Sequence, residues 1–273
     1  MNKINFRCLF LLTWFAALST KAQVSSENYI LTTERISDTQ VLSTTVYYDG
    51  LGRPFEMVEQ KKTPDGANLI HLQEYDGLGR DWKTWLPVKG TDDFLSISAA
   101  HSQGNNQYRD SHAFSLKEYD ESPLNRINTV EGVGAEWTSH PVKKDNLVNT
   151  SKYPLNCKYY RVSMQGQLQD KGYYPEGRLY VTKTTDENGN ESYEFKNIAG
   201  NVILKRTICS IDEAADTYYI YDYRGNLAFV LPPNYQEEPS LDLYAYQYKY
   251  DGQGNCTWKK LPGCEPIYMK YDL

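Results

Sequence analysis

The chain has 273 residues, with 29 Lys and Arg against 35 Asp and Glu and a formal net charge of −6. That acidity makes nucleic acid a poor partner, and a chain this long builds a core without disulfide staples. Twenty-four tyrosines, with no long amphipathic helical pattern, point to strands, because aromatic side chains suit a pleated, half-buried surface.

At the N-terminus, Lys3 and Arg7 precede the apolar run LFLLTWFAAL (Leu9–Leu18), and small Thr20 and Ala22 follow it. The run is shorter than the roughly 20 residues a spanning helix needs, so the segment reads as a secretory signal peptide cut after Ala22. Cys8 precedes the run and lacks the small-residue context of lipid attachment. The expected product is secreted or held in the cell envelope, with no transmembrane segment after cleavage. Losing Lys3, Arg7 and Lys21 leaves 26 basic against 35 acidic residues, a net charge of −9.

One short phrase then recurs: an aromatic and an acid, a glycine turn, and an Arg or Asn that leads into a strand. The first two copies are YYDGLGRPFE, with Tyr48, Asp49, Gly50, Gly52 and Arg53, and EYDGLGRDWK, with Tyr75, Asp76, Gly77, Gly79 and Arg80. From Pro87 the rhythm breaks into a polar stretch, where Thr91-Asp92-Asp93 and FLSISAAHSQ predict a short helical or irregular insertion over residues 87–115. A soft domain boundary is expected near Asn149, in the polar run KKDNLVNTSK. Beyond it the phrase returns as FKNIAGNVILKR, with Asn197 in the acid's place, as YYIYDYRGNLAFV, with Tyr221, Asp222 and Gly225, and as YKYDGQGNCTWKK, with Tyr250, Asp251, Gly252 and Gly254.

The Asp-Gly and Asn188-Gly189 pairs are expected to supply the positive φ of tight hairpin turns, with Arg53, Arg80 and Arg224 pairing with Asp49, Asp76 and Asp222. Strict alternation at Tyr244, Tyr246, Tyr248 and Tyr250 predicts a strand with one aromatic face. Leu227–Leu231 predicts a strand apolar on both faces, ended by Pro232 and Pro233. Self-similar units of this size bury their apolar faces only against neighbours, so they stack.

Chemistry is harder to find. His101 and His112 share the polar insertion with Ser102, Ser111, Asp92 and Asp110, which permits a hydrolytic arrangement on paper, but no nucleophile signature accompanies them. DENGNE (Asp186–Glu191) has the letters of a cation loop without the spacing, and reads as a hairpin turn. GVG at Gly132–Gly134 lacks the third glycine of a dinucleotide fingerprint. Four cysteines follow the signal segment. Cys256 and Cys264 flank Pro262-Gly263, where a local disulfide and free thiols are equally open readings. No catalytic, metal or cofactor site emerges. Trp82, Trp85, Trp137 and Trp258, with the tyrosines, read either as core or as an aromatic binding surface.

The doubled YDGLGR resembles the YD-repeat, or RHS-repeat, family of large exported bacterial proteins. YDESPLNRI (Tyr119–Ile127), GVGAEW (Gly132–Trp137) and HPVK (His140–Lys143) resemble the uncharacterised domain that precedes the repeats in RHS-like proteins of Bacteroidetes. The resemblance covers nearly all of residues 28–273. It implies an all-β chain of stacked β-hairpin repeats forming a curved or partial shell-like sheet, with an N-terminal β domain over 23–150 and a repeat region over 151–273. It implies a non-enzymatic scaffold without cofactors, enclosing or presenting a C-terminal effector. A cell-surface module that binds a glycan or protein through aromatic side chains is the alternative. The chain lacks the family's aspartate-bearing core motif and stops at Tyr271-Asp272-Leu273, which reads like the opening of another repeat and hence like a truncated member.

Overall fold

The computed structural model describes residues 27–38, 40–211 and 213–272; the signal segment expected over residues 1–22 lies outside them. The chain divides into two compact units, the first reaching His71 and taking in Lys89–Ser96, the second comprising Leu72–Val88 and everything from Ile97 onward. In the first, β1 (Asn28–Arg35), β2 (Val41–Tyr48) and β3 (Pro54–Glu59) form an antiparallel meander. β1 is exposed along its length, whereas β2 buries Thr45 and Tyr47 and β3 buries Glu56 and Val58, the period of two that puts one face of a strand inside.

The second unit is built almost wholly of strands. They are the end of β4 (Asn68–Tyr75), β5 (Asp81–Trp85), the start of β6 (Val88–Gly90), β7 (Phe114–Tyr119), β8 (Ile127–Glu131), β9 (Val142–Val148), β10 (Lys158–Val162) and β11 (Leu168–Tyr173). There follow β12 (Tyr180–Thr185), β13 (Glu191–Lys196), β14 (Val202–Ser210), β15 (Glu213–Tyr221), β16 (Leu227–Leu231), β17 (Tyr246–Tyr250), β18 (Cys256–Lys260) and β19 (Ile267–Tyr268). Antiparallel pairing runs from β4 through β5, β7, β8 and β9, passes to β12, and continues strand by strand to β19. β10 and β11 form a separate hairpin. The all-β expectation holds.

The insertion contains one helix, α1 (Ile97–Tyr108). It starts later than Thr91-Asp92-Asp93 suggests, because that segment is held elsewhere: Tyr47 Oη donates to the Asp93 carbonyl at 2.6 Å and Asn68 Nδ2 to that of Asp92 at 3.1 Å. Gly104 lets α1 lie close to β5, since a Cβ there would stand 3.3 Å from the Trp85 ring. Asn149, beside the expected soft boundary, lies inside the second unit and is fully buried. Its Oδ1 accepts the amides of Arg178 and Leu179, both at 2.8 Å, and the flanking strands β9 and β12 pair directly.

The repeated phrase folds into one kind of hairpin. The Asp49 amide donates to the Arg53 carbonyl at 2.9 Å and the Gly52 amide to the Asp49 carbonyl at 3.0 Å, closing a three-residue loop. The same pairs close the turns led by Asp76, Asp186, Asn197, Asp222 and Asp251. Positive φ falls not on Gly50, Gly77 or Gly252 but on the glycine three places after the lead residue, including Gly52 at 78° and Gly79 at 83°. The lead side chain explains this. Asp76 Oδ1 accepts the amides of Leu78 and Arg80, both at 2.9 Å, which curls the chain right-handed over Gly77 and leaves the reversal to Gly79.

Gly79→Ala is therefore expected to cost about 1–2 kcal/mol, and Gly77→Ala less than about 0.5 kcal/mol, as read from urea midpoints. Equal effects would contradict this turn geometry.

The residue after that glycine clasps the lead acid. Arg53 Nε lies 2.8 Å from Asp49 Oδ2 and Arg80 Nε 2.7 Å from Asp76 Oδ2. In the copies led by Asp186, Asp222 and Asp251, Asn190, Asn226 and Asn255 donate an amide to the same oxygen. Arg224 does not pair with Asp222. It stands two places too early, and gives its guanidinium to Tyr223 Oη and the Asp251 carbonyl. The Arg53 amide, then its side chain, holds the Asp49 carboxyl below its usual value. YDESPLNRI is the same device with a longer loop: the Asp120 amide donates to the Arg126 carbonyl, and Arg126 Nε meets Asp120 Oδ2 at 2.7 Å.

A second regularity leaves no trace in the sequence. In six hairpins the residue two places past the Arg or Asn is skipped by the ladder: Phe55, Trp82, Asn128, Ile203, Ala228 and Thr257. Each is a β-bulge, which bends its strand and adds right-handed twist.

The register lays the core of the second unit across the strands in rows. Val181, Phe195, Leu204, Tyr218 and Leu231 are successive cross-strand partners on five strands, and none is more than 3% exposed. β16 is buried on both faces, as its composition predicts. The tyrosine strand begins only at Tyr246. Tyr244 closes a short helix, α3 (Leu241–Tyr244), capped by Ser240 Oγ, which follows α2 (Pro233–Glu237).

All four described cysteines are free thiols, so the Cys256–Cys264 bridge is absent. β18 is the reason. Cys256 opens that strand and Cys264 lies in the turn beyond its far end, about 13 Å away at about 3.3 Å per residue, whereas a disulfide needs Cα atoms within about 7 Å.

Candidate functional site

A concavity of the second unit lies between the β10–β11 hairpin and the turns that join β13 to β14 and β15 to β16. It has a volume of about 330 Å³, within the range of small-ligand pockets. Seven of its sixteen lining residues are tyrosines, which sets its chemistry: flat apolar faces with polar edges. Tyr160 packs edge-on against Tyr218, with centroids 5.2 Å apart, and Tyr159 lies 4.5 Å from Tyr174. Burial, reinforced by nearby Cys157 and Tyr159, pushes the Tyr174 hydroxyl well above the ordinary phenol range. Burial likewise raises the Tyr160 and Tyr218 hydroxyls, so these two and Tyr174 act as neutral hydrogen-bonding groups.

One wall is anchored by Arg206, on the core-facing side of β14 and 5% exposed. Its guanidinium grips Asp216, its partner on β15, with Nε to Oδ1 at 2.7 Å and Nη2 to Oδ2 at 2.6 Å. Nη1 reaches the carbonyls of Pro154 and Asn156 at 2.6 and 3.0 Å. This fixes the segment that leads into β10, and so the position of Tyr159 and Tyr160.

The repeat residues singled out from sequence are mostly turn scaffolding. Only Asn197, Tyr221, Asp222 and Gly225 also line the groove. Sequence reasoning names the tryptophans together with the tyrosines for an aromatic surface, without singling out Tyr159, Tyr160, Tyr174 and Tyr219. The one available signal is Asn197, the copy without its acid.

The histidines of the insertion each face a glutamate. His101 Nε2 lies 2.8 Å from Glu74 Oε1, which also accepts Trp85 Nε1 at 2.5 Å, and the His101 ring stacks on Trp85 at 4.3 Å. His112 Nε2 lies 3.3 Å from Glu131 Oε2 without a hydrogen bond, its ring 4.0 Å from Phe114. Ser102 Oγ donates to the Ser98 carbonyl, and Asp110 accepts the amides of His112 and Ala135. DENGNE is a hairpin turn: Asp186 takes the Asn188 and Asn190 amides and Gly189 carries a φ of 84°. Among the described residues no helix is long and apolar enough to cross a membrane.

A family model described as a domain of unknown function, DUF6443, matches residues 19–150. Among solved structures, the Photorhabdus luminescens Tc holotoxin pore with a mutated TccC3 matches at 17% identity and a TM-score of 0.50, over 84% of this chain and 11% of that one. The crystal structure of TcdB2-TccC3 matches at 17% identity and 0.49, over 85% and 11%. That of TcdB2-TccC3-TEV matches at 14% and 0.46, over 89% and 13%. No curated protein matches. The chain thus spans about a tenth of the length of these solved chains, and the likeness to the holotoxin component is one of fold.

Proposed function

We propose that this chain is a non-enzymatic wall segment of an exported RHS/YD-repeat shell, which encloses or presents a C-terminal effector. The observation that carries the reading is the repeated bulged hairpin in one continuous antiparallel ribbon. A bulge at one fixed offset in six of the hairpins adds right-handed twist at each of them, which is what a sheet needs to curl into a wall. The fold shared with the TccC3-containing holotoxin supports the same reading. Export is supported by the charged, apolar and small-residue order of the first 22 residues.

The test is electron microscopy of the full-length natural gene product, with protease digestion of the same particles. A hollow β-walled particle, with a C-terminal segment that becomes cleavable only after the wall is opened, is the expected result. A solid particle, or one whose every segment is cut at the same rate, would overturn the proposal.

A further inference from the structure

The first strand of the first unit differs from the two that follow it. β1 pairs with β2 through an unbroken register, from Asn28 opposite Tyr48 to Arg35 opposite Val41, and β2 is its one strand partner among the described residues. β1 carries no lysine, proline or bulge, the devices that keep an edge strand from pairing again. Its side chains are exposed on both faces. The face it shares with Tyr47 and Thr45 is an unfinished core. Tyr47 and Val58 are buried there, and Phe94 packs on Tyr47 with ring centroids 4.9 Å apart. On the same face Tyr29, opposite Tyr47, is 55% exposed, and Leu31, opposite Thr45, is 53% exposed. Glu27 has no hydrogen bond or ion pair among the described residues, and the Arg35 guanidinium meets only the carbonyls of Ser37 and Asp38, both at 3.3 Å.

We propose that two copies of this chain associate through β1, edge to edge and antiparallel, about a two-fold axis at Leu31. In a two-fold contact residue i meets residue j of the other copy and j meets i, so one register fixes every pair. An axis at Leu31 sets Leu31 against its own copy, Tyr29 against Thr33 and Glu27 against Arg35. Alternate residues of a strand share a face, so these all lie on the unfinished side. Two tyrosines and two leucines then form one apolar stripe across the seam, closed at each end by a Glu–Arg pair. On the opposite face Asn28 meets Glu34, an amide donor against a carboxylate. The charges select this arrangement. An axis at Thr32 would set Glu34 against Ile30 and Arg35 against Tyr29, and leave Glu27 without a cation. A parallel pair in register would set Glu34 and Arg35 each against its own copy, and like charges directly opposite repel. The contact lies wholly in the first unit and does not depend on the shell proposal.

Sedimentation equilibrium of the full chain is expected to show a monomer–dimer equilibrium with a Kd of about 10 μM or tighter. Leu31→Lys sets two ammonium groups face to face on the axis and removes the centre of the apolar stripe, which should weaken association about a hundred-fold. Arg35→Glu acts at both ends of the seam and should weaken it about ten-fold. Adding Glu27→Arg to Arg35→Glu reverses both pairs and should restore the wild-type affinity. All three positions are exposed, so the circular dichroism of each variant should match that of the wild type. A chain that stays monomeric, a dimer that Leu31→Lys and Arg35→Glu leave intact, or a charge reversal that fails to restore association would each overturn the proposal.

Discussion

Arg206→Ala is expected to destabilise the second unit by about 3–5 kcal/mol, the cost of stranding one member of a buried ion pair. The side chains of Arg206 and Asp216 are only 6% and 14% exposed. Burial acts against the Arg206 charge, but the Asp216 carboxylate more than offsets it and keeps the guanidinium above its ordinary value. Without it, Asp216 retains a hydrogen bond from Tyr218 Oη at 3.2 Å and no cation. The pair is not expected to be stabilising in itself. Replacing both partners with apolar residues, Arg206→Met with Asp216→Leu, should recover most of the loss, because the desolvation of both charges is removed together.

A second readout separates this from general weakening. Arg206 also holds the carbonyls of Pro154 and Asn156, beside Cys157, which is 1% exposed and whose thiol burial pushes up to about 12. In Arg206→Ala, and also in the double variant, that segment loses its anchor. Cys157 should then react with a thiol reagent under native conditions, where in the wild type only unfolding exposes it. A Cys157 that stays protected in both variants would show that the segment is held by its packing alone.

The repeats are legible in the sequence because a hairpin turn is a local event. Asp, Gly and Arg act within five residues, so the letters alone place the turns at Asp49, Asp76, Asp222 and Asp251. They mislead on which glycine takes positive φ, because the Asp-Gly pair is also the signal of a two-residue turn. The bulges leave no letter of their own: Phe55, Trp82, Asn128, Ile203, Ala228 and Thr257 share no chemistry, only an offset. The groove is illegible for a different reason. Tyr159 and Tyr221 are 62 residues apart and meet because the β10–β11 hairpin folds back over the sheet. That return is set by Arg206 and Asn149, buried polar residues that a hydrophobic pattern cannot flag.

Unfolding of the first unit should become easier as pH rises from about 4.5 to about 7, by up to about 3 kcal/mol, and level off above. Glu56 on β3 is 1% exposed, opposite Tyr47 on β2. Its Oε1 accepts the Leu95 amide at 2.9 Å, and Oε2 has no hydrogen-bond partner in the described residues. Burial, only partly countered by that amide, raises the carboxyl to about 7. Among the described residues no Lys, Arg or His forms an ion pair with it. Burial itself, then the charges of Glu56 and Asp93, push the Tyr47 hydroxyl up to about 12. The sign follows from a folded-state value above the unfolded one: the folded chain holds this proton more tightly. Its stabilising effect is whole below about 4.5 and is lost as pH passes about 7. Carboxyls held low, such as Asp49 and Asp65, act in the opposite sense and only toward acid, so their slope falls below this window. Urea unfolding of wild type and Glu56→Gln at pH 5 and pH 8 isolates the group. The variant should lose the difference between the two conditions that the wild type shows. Parallel behaviour of the two chains would place the Glu56 charge in contact with water or a cation, contrary to the geometry around Oε2.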